Sequence, residues 1–314
     1  MRRIMKMNNP WNNLSRLTQI RVANTTSHNL YWFKDVFENY GLLIQCKVGS
    51  FSDSHNIPLK GIQIEIDHTE EPNKLLLVLK NKEDWEIFKI LCEDLVAVVA
   101  DEMDDMSVIH GLSRRLTRWQ KLLQYDLKGG ISPQKQKGLF SELLILKDVI
   151  ATKYSYEEAV ENWTGPLFQK QDFIMEKAAL EVKSYSSSKA KKVKISSKEQ
   201  LDSPKENLFL AAVALSESRR GKNITQLVDE IKNELTPDLS IIFDDKLGEY
   251  GYAPEIIKEP LIRFLSDDIT FYGVKDDFPR IISTSVPYGI NKIEYEIDLT
   301  KCGKFILDKD AMEL

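Results

Sequence analysis

QDFIMEKAALEVKSY, residues 171–185, decides the fold. Residues 171–175 read as a short strand, Glu176 and Lys177 as a turn, and residues 178–185 as a second strand. Side chains alternate along a strand, so Glu181 and Lys183 project from one face. A hairpin can carry Asp172 across to that face. Two carboxylates would then stand ready for one hard cation, with an ammonium beside them. That grouping suits Mg²⁺ and a phosphate oxygen.

Upstream, Gly129 and Gly130 break the chain, and Ser132 with Pro133 forms a helix start. The next helix is expected over residues 133–152, with Leu139, Leu143, Leu146 and Ile150 as its apolar stripe. Glu142 falls inside that stripe, between Leu146 and Val149 on a helical projection. A carboxylate there is expensive unless it is paired or metal-bound. It reads either as a structural ion pair or as an active-site acid facing the hairpin, and the hairpin favours the second.

Residues 177–198 carry seven lysines and one acid, Glu181, inside a protein of net charge −5. Such runs are ordinarily solvated loops. Directly after a candidate metal site, Lys191, Lys192, Lys194 and Lys198 read instead as phosphate contacts. Strand 193–195 leads into a short serine-capped helix, and residues 207–215 (NLFLAAVAL) read as a buried central strand.

Four segments are expected. Residues 1–82 form a β-rich region, with strands at 30–33, 42–48, 62–66 and 75–79. Residues 83–128 form a helical connector interrupted by the acidic stretch 101–105. There Arg114, Arg115, Arg118 and Lys121 surround Trp119, which reads as a solvated face over a core tryptophan rather than a DNA backbone contact. Residues 129–255 form the α/β core, including an amphipathic helix at 225–235 stopped by Pro237 and another at 240–247. Residues 256–314 return to β patterns at 269–274, 281–286, 293–299 and 305–307.

Composition narrows the function classes. With 314 residues and 42% apolar residues, a sizeable core is available. Cys46, Cys92 and Cys302 lack metal-binding spacing and read as reduced thiols of a cytoplasmic protein. His28, His55, His68 and His110 are scattered, which argues against a zinc site or a histidine triad. The basic N-terminus lacks the apolar stretch of a signal peptide, and no apolar run is long enough to span a membrane. Neither a phosphate-binding P-loop nor a dinucleotide-binding glycine pattern is present.

The order of Glu142 on a helix, Asp172 on a strand, Glu181-Val182-Lys183 on the next, then Gln200, resembles the PD-(D/E)XK nuclease superfamily. RLTRWQKLL (115–123), GLFSELLIL (138–146) and the segment from NWTGP (162–166) through KISSKEQL (194–201) resemble a bacterial PD-(D/E)XK family, DUF4420. Gln171 stands where the motif's name has proline, a position without chemistry.

The resemblance implies a restriction-endonuclease-like core, with a mixed sheet flanked by helices and a β-rich N-terminal region. It implies Asp172 and Glu181 as Mg²⁺ ligands (Mn²⁺ as substitute), with the Val182 carbonyl as a further ligand. Lys183, Glu142 and Gln200 are the implied catalytic residues. Lys183 holds the attacking water and offsets phosphate charge, Glu142 binds a second metal or orients water, and Gln200 positions water or phosphate. The implied activity is a DNA endonuclease of restriction or phage defence. A homodimer is the implied assembly, and an ATPase, a helicase-like protein or a methyltransferase are candidate partners. The competing reading is a nucleic-acid-binding subunit of a defence complex, catalytically silent or partner-dependent.

Overall fold

Burial that alternates along Leu75, Leu77 and Leu79 shows how the N-terminal sheet is built: one face packs inward and the other stays half-exposed. In the computed structural model, the described residues are 8–23, 28–46, 57–67, 72–101, 104–124, 131–252, 254, 260–275 and 277–314. Gly129, Gly130, Val48, His55, His68 and part of the acidic stretch 101–105 lie outside them. The chain divides into two compact units, Met1–Lys128 and Gly129–Leu314.

In the first unit, β1 (Gln19–Arg21), β2 (Asn29–Lys34), β3 (Tyr40–Cys46), β4 (Ile62–Asp67) and β5 (Asn73–Leu79) form an antiparallel sheet. Its order is β1-β2-β3-β5-β4. Helices α1 (Trp85–Asp101) and α2 (Asp105–Gln124) follow. Trp11 anchors the core, stacked on Tyr40 at 5.0 Å and on Phe88 at 5.4 Å. Its indole N–H donates to the Gly41 carbonyl at 2.9 Å. Trp119 is buried and donates to Asp94 at 2.8 Å, while Arg115 pairs with the same carboxylate at 3.4 Å. Arg114 is exposed over the buried Trp119 as expected, but Arg118 is buried rather than solvated.

The second unit begins with α3 (Pro133–Ile145), capped by Ser132 with Pro133 in its first turn. A π turn over Leu146–Ile150 and the short α4 (Ala151–Lys153) continue it. Next come α5 (Tyr156–Asn162), β6 (Phe173–Ile174), β7 (Ala178–Ser186), β8 (Lys192–Ile195) and β9 (Asn207–Lys222). Helices α6 (Ile224–Lys232) and α7 (Pro237–Tyr250) and strands β10 (Phe264–Gly273), β11 (Tyr295–Asp298) and β12 (Ile306–Leu307) complete the unit.

The main sheet runs β12-β10-β9-β7-β6. β7 and β9 are parallel and the other pairs antiparallel, so the sheet is mixed. Alternation along β7 separates two cores. Ala178, Leu180 and Val182 pack with α3, α5, α6 and α7, whereas Ala179 packs with Val193, Ile195 and Ile297 of the β8–β11 ribbon. Helices thus cover one face of the sheet, and the two-stranded ribbon covers the other.

Local chemistry corrects three expectations. The strand expected over 171–175 is only β6, because the chain bends before Phe173. Pro237 starts a helix: Thr236 accepts from the Leu239 amide as N-cap, and proline fits the first turn, where its missing N–H costs nothing. Residues 281–286 form no strand; a 3₁₀ turn at Ser283–Ser285 occupies that stretch, and no residue of it pairs with a strand.

Candidate active site

The site forms where the edge strand stops. β6 pairs Phe173 with Leu180 and Ile174 with Ala179, so among the described residues no strand flanks that edge of β7 beyond Leu180, while β9 continues along the other edge. The Val182 N–H, left without a ladder partner on that side, donates instead to Asp172 Oδ2 at 2.7 Å. A side-chain carboxylate therefore takes the place of a strand carbonyl, and its position is set by the sheet itself. Extending the register by one residue sets Asp172 opposite Glu181.

Glu181 is 1% exposed. One of its oxygens accepts from Lys183 Nζ at 2.5 Å. Oε2 is buried with no hydrogen-bond partner. Burial first, then the Asp172 charge, pushes its carboxyl up to about 8, with Lys183 partly offsetting them. Burial opposes the charge on Lys183, but the carboxylates of Glu181, Asp172 and Glu142 outweigh it and raise the lysine's pKa. Lys183 therefore stays an ammonium. Burial also raises the Asp172 carboxyl, against the pull of Lys183 and the Val182 N–H.

Glu142 comes from α3 and is buried. Its oxygens are held by neutral donors: the Trp163 indole N–H at 2.8 Å and the Tyr250 hydroxyl at 3.1 Å. Burial drives its carboxyl well above the usual range, the Asp172 charge adds to this, and Glu181 contributes further. Tyr250, raised by burial and by the same carboxylates, remains a hydroxyl donor. The three acids thus form one electrostatic group.

Two glycines make the room. A Cβ on Gly165 would lie 2.6 Å from Glu142 Oε2 and 2.9 Å from Asp172 Oδ1. Those two oxygens converge on the space that Gly165 leaves open. A Cβ on Gly138 would lie 2.7 Å from the Tyr250 hydroxyl. Gly138 is one turn before Glu142 on α3, so its bareness lets Tyr250 reach the carboxylate.

Lys246, one turn before Tyr250 on α7, is also buried. Its ammonium donates to the carbonyls of Val160, Glu161 and Trp163 at 2.6, 2.9 and 2.7 Å, closing the end of α5. Burial lowers it to about 8. Sequence reasoning missed Trp163, Gly165, Lys246 and Tyr250 as residues around this group. NWTGP was a visible signal for the first two; nothing local marked the pair on α7.

Among the other candidates, the side chains of Gln200, Lys191, Lys194 and Lys198 have other partners. Gln200 sits in a 3₁₀ turn, where its Oε1 accepts from the Ser196 N–H at 2.8 Å. Its backbone carbonyl receives Gln171 at 3.4 Å, one residue from Asp172. Lys192 and Lys194 line the exposed face of β8, whose other face buries Val193 and Ile195. Lys194 pairs with Glu294 at 2.8 Å. Lys191 reaches Thr270 at 3.1 Å and Asp268 at 3.9 Å, and Lys198 reaches Glu199 at 4.0 Å.

Residues 7–300 match the family described as "Putative PD-(D/E)XK family member (DUF4420)", and the chain belongs to that family. Neither the curated proteins nor the solved structures contain a match. Membership in this family points to a nuclease-like fold, consistent with the mixed α/β architecture, and nucleases of the superfamily generally use divalent metals. No described helix is long and apolar enough to cross a membrane.

The residues fit such an ion. The donors are all oxygens, Glu181 Oε2 is buried without a partner, and Asp172 Oδ1 faces the gap at Gly165. Among the described residues, no three carboxylate, imidazole or thiolate groups close into a metal cage. Mg²⁺ typically takes one or two carboxylates and completes its shell with water and substrate phosphate.

Proposed function

We propose that this chain is a Mg²⁺-dependent endodeoxyribonuclease that hydrolyses phosphodiester bonds. The observation that carries the reading is the end of β6, where Asp172, Glu181 and Lys183 meet beside Glu142 with one carboxylate oxygen unpartnered. A buried, unsatisfied carboxylate oxygen is costly in a structural ion pair and useful to a cation.

Asp172 and Glu181 would hold the ion, with the Val182 carbonyl as a further ligand. Bound there, Mg²⁺ (or Mn²⁺) acidifies a water and offsets the negative charge that builds on phosphorus. Lys183 keeps its proton, positions the attacking water and faces the phosphate oxygens. Glu142, clamped by Trp163 and Tyr250, orients that water. Gln200 steadies the turn against which Gln171 and Asp172 are held. The exposed lysines of β8 add phosphate contacts along the strand. Restriction or phage defence, as the setting of this activity, rests on the family resemblance.

Supercoiled plasmid incubated with wild type or Lys183→Ala in Mg²⁺, Mn²⁺ or EDTA tests the reading. Metal-dependent nicking or linearisation, lost in the variant, is the expected result. Equal cleavage by both proteins would refute the site. Absence of cleavage by folded wild type, together with no stabilisation by either metal, would favour the catalytically silent nucleic-acid-binding subunit.

A further inference from the structure

The loop between α5 and β6 begins and ends on the acid cluster. The amides of Thr164 and Gly165 both donate to the Asp172 carbonyl, at 2.8 and 3.0 Å. The Thr164 hydroxyl donates to the Gln171 carbonyl at 3.0 Å. Within the loop, Leu167 N–H donates to Thr164 and Phe168 N–H to Gly165, at 3.0 and 3.1 Å. At its exit, buried Gln171 donates to the Glu199 carbonyl at 2.6 Å. The base is therefore rigid.

Its tip faces solvent. Leu167, Phe168, Gln169 and Lys170 are all exposed, and Phe168 is 79% exposed. Phe168 also adopts φ 56° and ψ 29°, the left-handed region that a bulky side chain rarely enters. Such strain persists only where the surrounding structure enforces it, and it concentrates at functional sites. A phenylalanine whose role was to fill the core would be buried.

Resting on the nuclease reading above, we propose that Phe168 is a stacking residue for a nucleobase of the bound strand, next to the phosphate being cut. The 3₁₀ turn rises about 2 Å per residue, so Phe168 stands about 6 Å along the turn from Gly165. Nucleotides in a duplex rise about 3.4 Å along each strand, so the ring serves a base about two positions away. Every base offers a π face, so the contact tolerates sequence. Phenylalanine has only two side-chain torsions, so ordering it on binding costs less entropy than ordering a long flexible side chain. A stable protein interface needs roughly 800 Å² from each partner, and one phenylalanine supplies about 200 Å². The size of the patch therefore favours a base over a protein.

The test uses the full chain in a Lys183→Ala background with Mg²⁺, so that nucleic acid is bound without being cut. The probes are a fluorescein-labelled single-stranded oligodeoxynucleotide and its duplex, with 2-aminopurine placed at successive positions. Phe168→Ala is expected to weaken binding about tenfold and to abolish a position-specific 2-aminopurine signal. Phe168→Trp should retain both. Phe168→Gly should melt at a higher temperature, because it relieves the backbone strain, yet bind as weakly as Phe168→Ala. A purely structural residue would not separate stability from binding in this way.

Unchanged affinity and an unchanged 2-aminopurine profile in Phe168→Ala would overturn the inference while leaving the nuclease reading intact. So would unchanged affinity with an altered sedimentation coefficient, which would make the loop a protein contact. If the folded parent binds neither probe, the nuclease reading fails and the stacking role falls with it.

Discussion

The acid cluster and the lysine strand carry opposite charges a few residues apart, yet their chemistry differs for a reason other than sign. Glu142 and Glu181 are buried, Asp172 is half-buried, and among the described residues Lys183 alone supplies a cation to them; their other donors are an indole, a phenol and an amide, and one carboxylate oxygen has no partner. Lys192 and Lys194 are exposed on β8, opposite Asp298 and Glu296 of β11, with Glu294 paired to Lys194. Removal from water makes the first group's charges mutually dependent and shifts their pKa values. Water screens the second group, where pairs contribute little and exchange partners readily. What sets the acid cluster apart is the desolvation its neighbours impose.

The sharpest way to break this comparison is to remove the one cation inside the acid cluster. Lys183→Ala should lower metal-dependent plasmid cleavage roughly a thousandfold or more, with a near-native circular dichroism spectrum. Asp172→Ala and Glu181→Ala should do the same and also abolish stabilisation of the fold by Mg²⁺ in a melting experiment.

A subtler break adds one methyl group. In Gly165→Ala the new Cβ would crowd Glu142 Oε2 and Asp172 Oδ1 at 2.6 and 2.9 Å, so both carboxylates must shift. Cleavage should fall roughly a hundredfold, the cost of displacing catalytic groups by about 1 Å, measured as single-turnover rate on a labelled duplex. Gly303→Ala, where a Cβ meets nothing within 4 Å, is the control and should leave the rate unchanged.

Desolvation also has a pH signature. The folded Glu181 carboxyl titrates at about 8, against an ordinary value of 4.5. Between those values the folded chain holds a proton that the unfolded chain has released. Its stabilising effect is complete below pH 4.5 and is lost as pH rises through 8. Metal-free protein should therefore lose stability across this window, by up to about 1.4 kcal/mol per pH unit from this group. Glu181→Gln should flatten the slope. Added Mg²⁺ should restore stability most at the alkaline end, where the carboxylates are ionised.

The smallest effect belongs to the exposed strand. Lys192→Gln with Lys194→Gln should leave melting unchanged and reduce cleavage at low salt only a few-fold. The salt dependence of nucleic-acid binding should become shallower by about two, one for each phosphate contact removed. An unchanged slope would show that these lysines serve their carboxylate neighbours alone.

Much of this was legible in sequence. β-Strand alternation set Glu181 and Lys183 on one face, and the helical period placed Glu142 among Leu139, Leu143 and Leu146, all of which are buried. Those patterns are local, and local geometry follows from the next two to four residues. Thr236 and Pro237 were equally local, but the proline was read as a stop when its threonine cap made it a start. Residues 281–286 carried a strand-like composition without a partner strand, and a strand needs that partner to satisfy its backbone.

By itself, the sequence determined the hairpin, the three acids with their lysine on their elements, and membership in the family. Tertiary structure alone decided that the acids share one desolvated space. Trp163 and Tyr250 hold Glu142 from positions 21 and 108 residues away, and Gly165 leaves the gap on which two carboxylates converge. The reason is physical. Periodicity and propensity act over a few residues, whereas burial, orphaned oxygens and shifted pKa values arise only when distant segments exclude water from the same place.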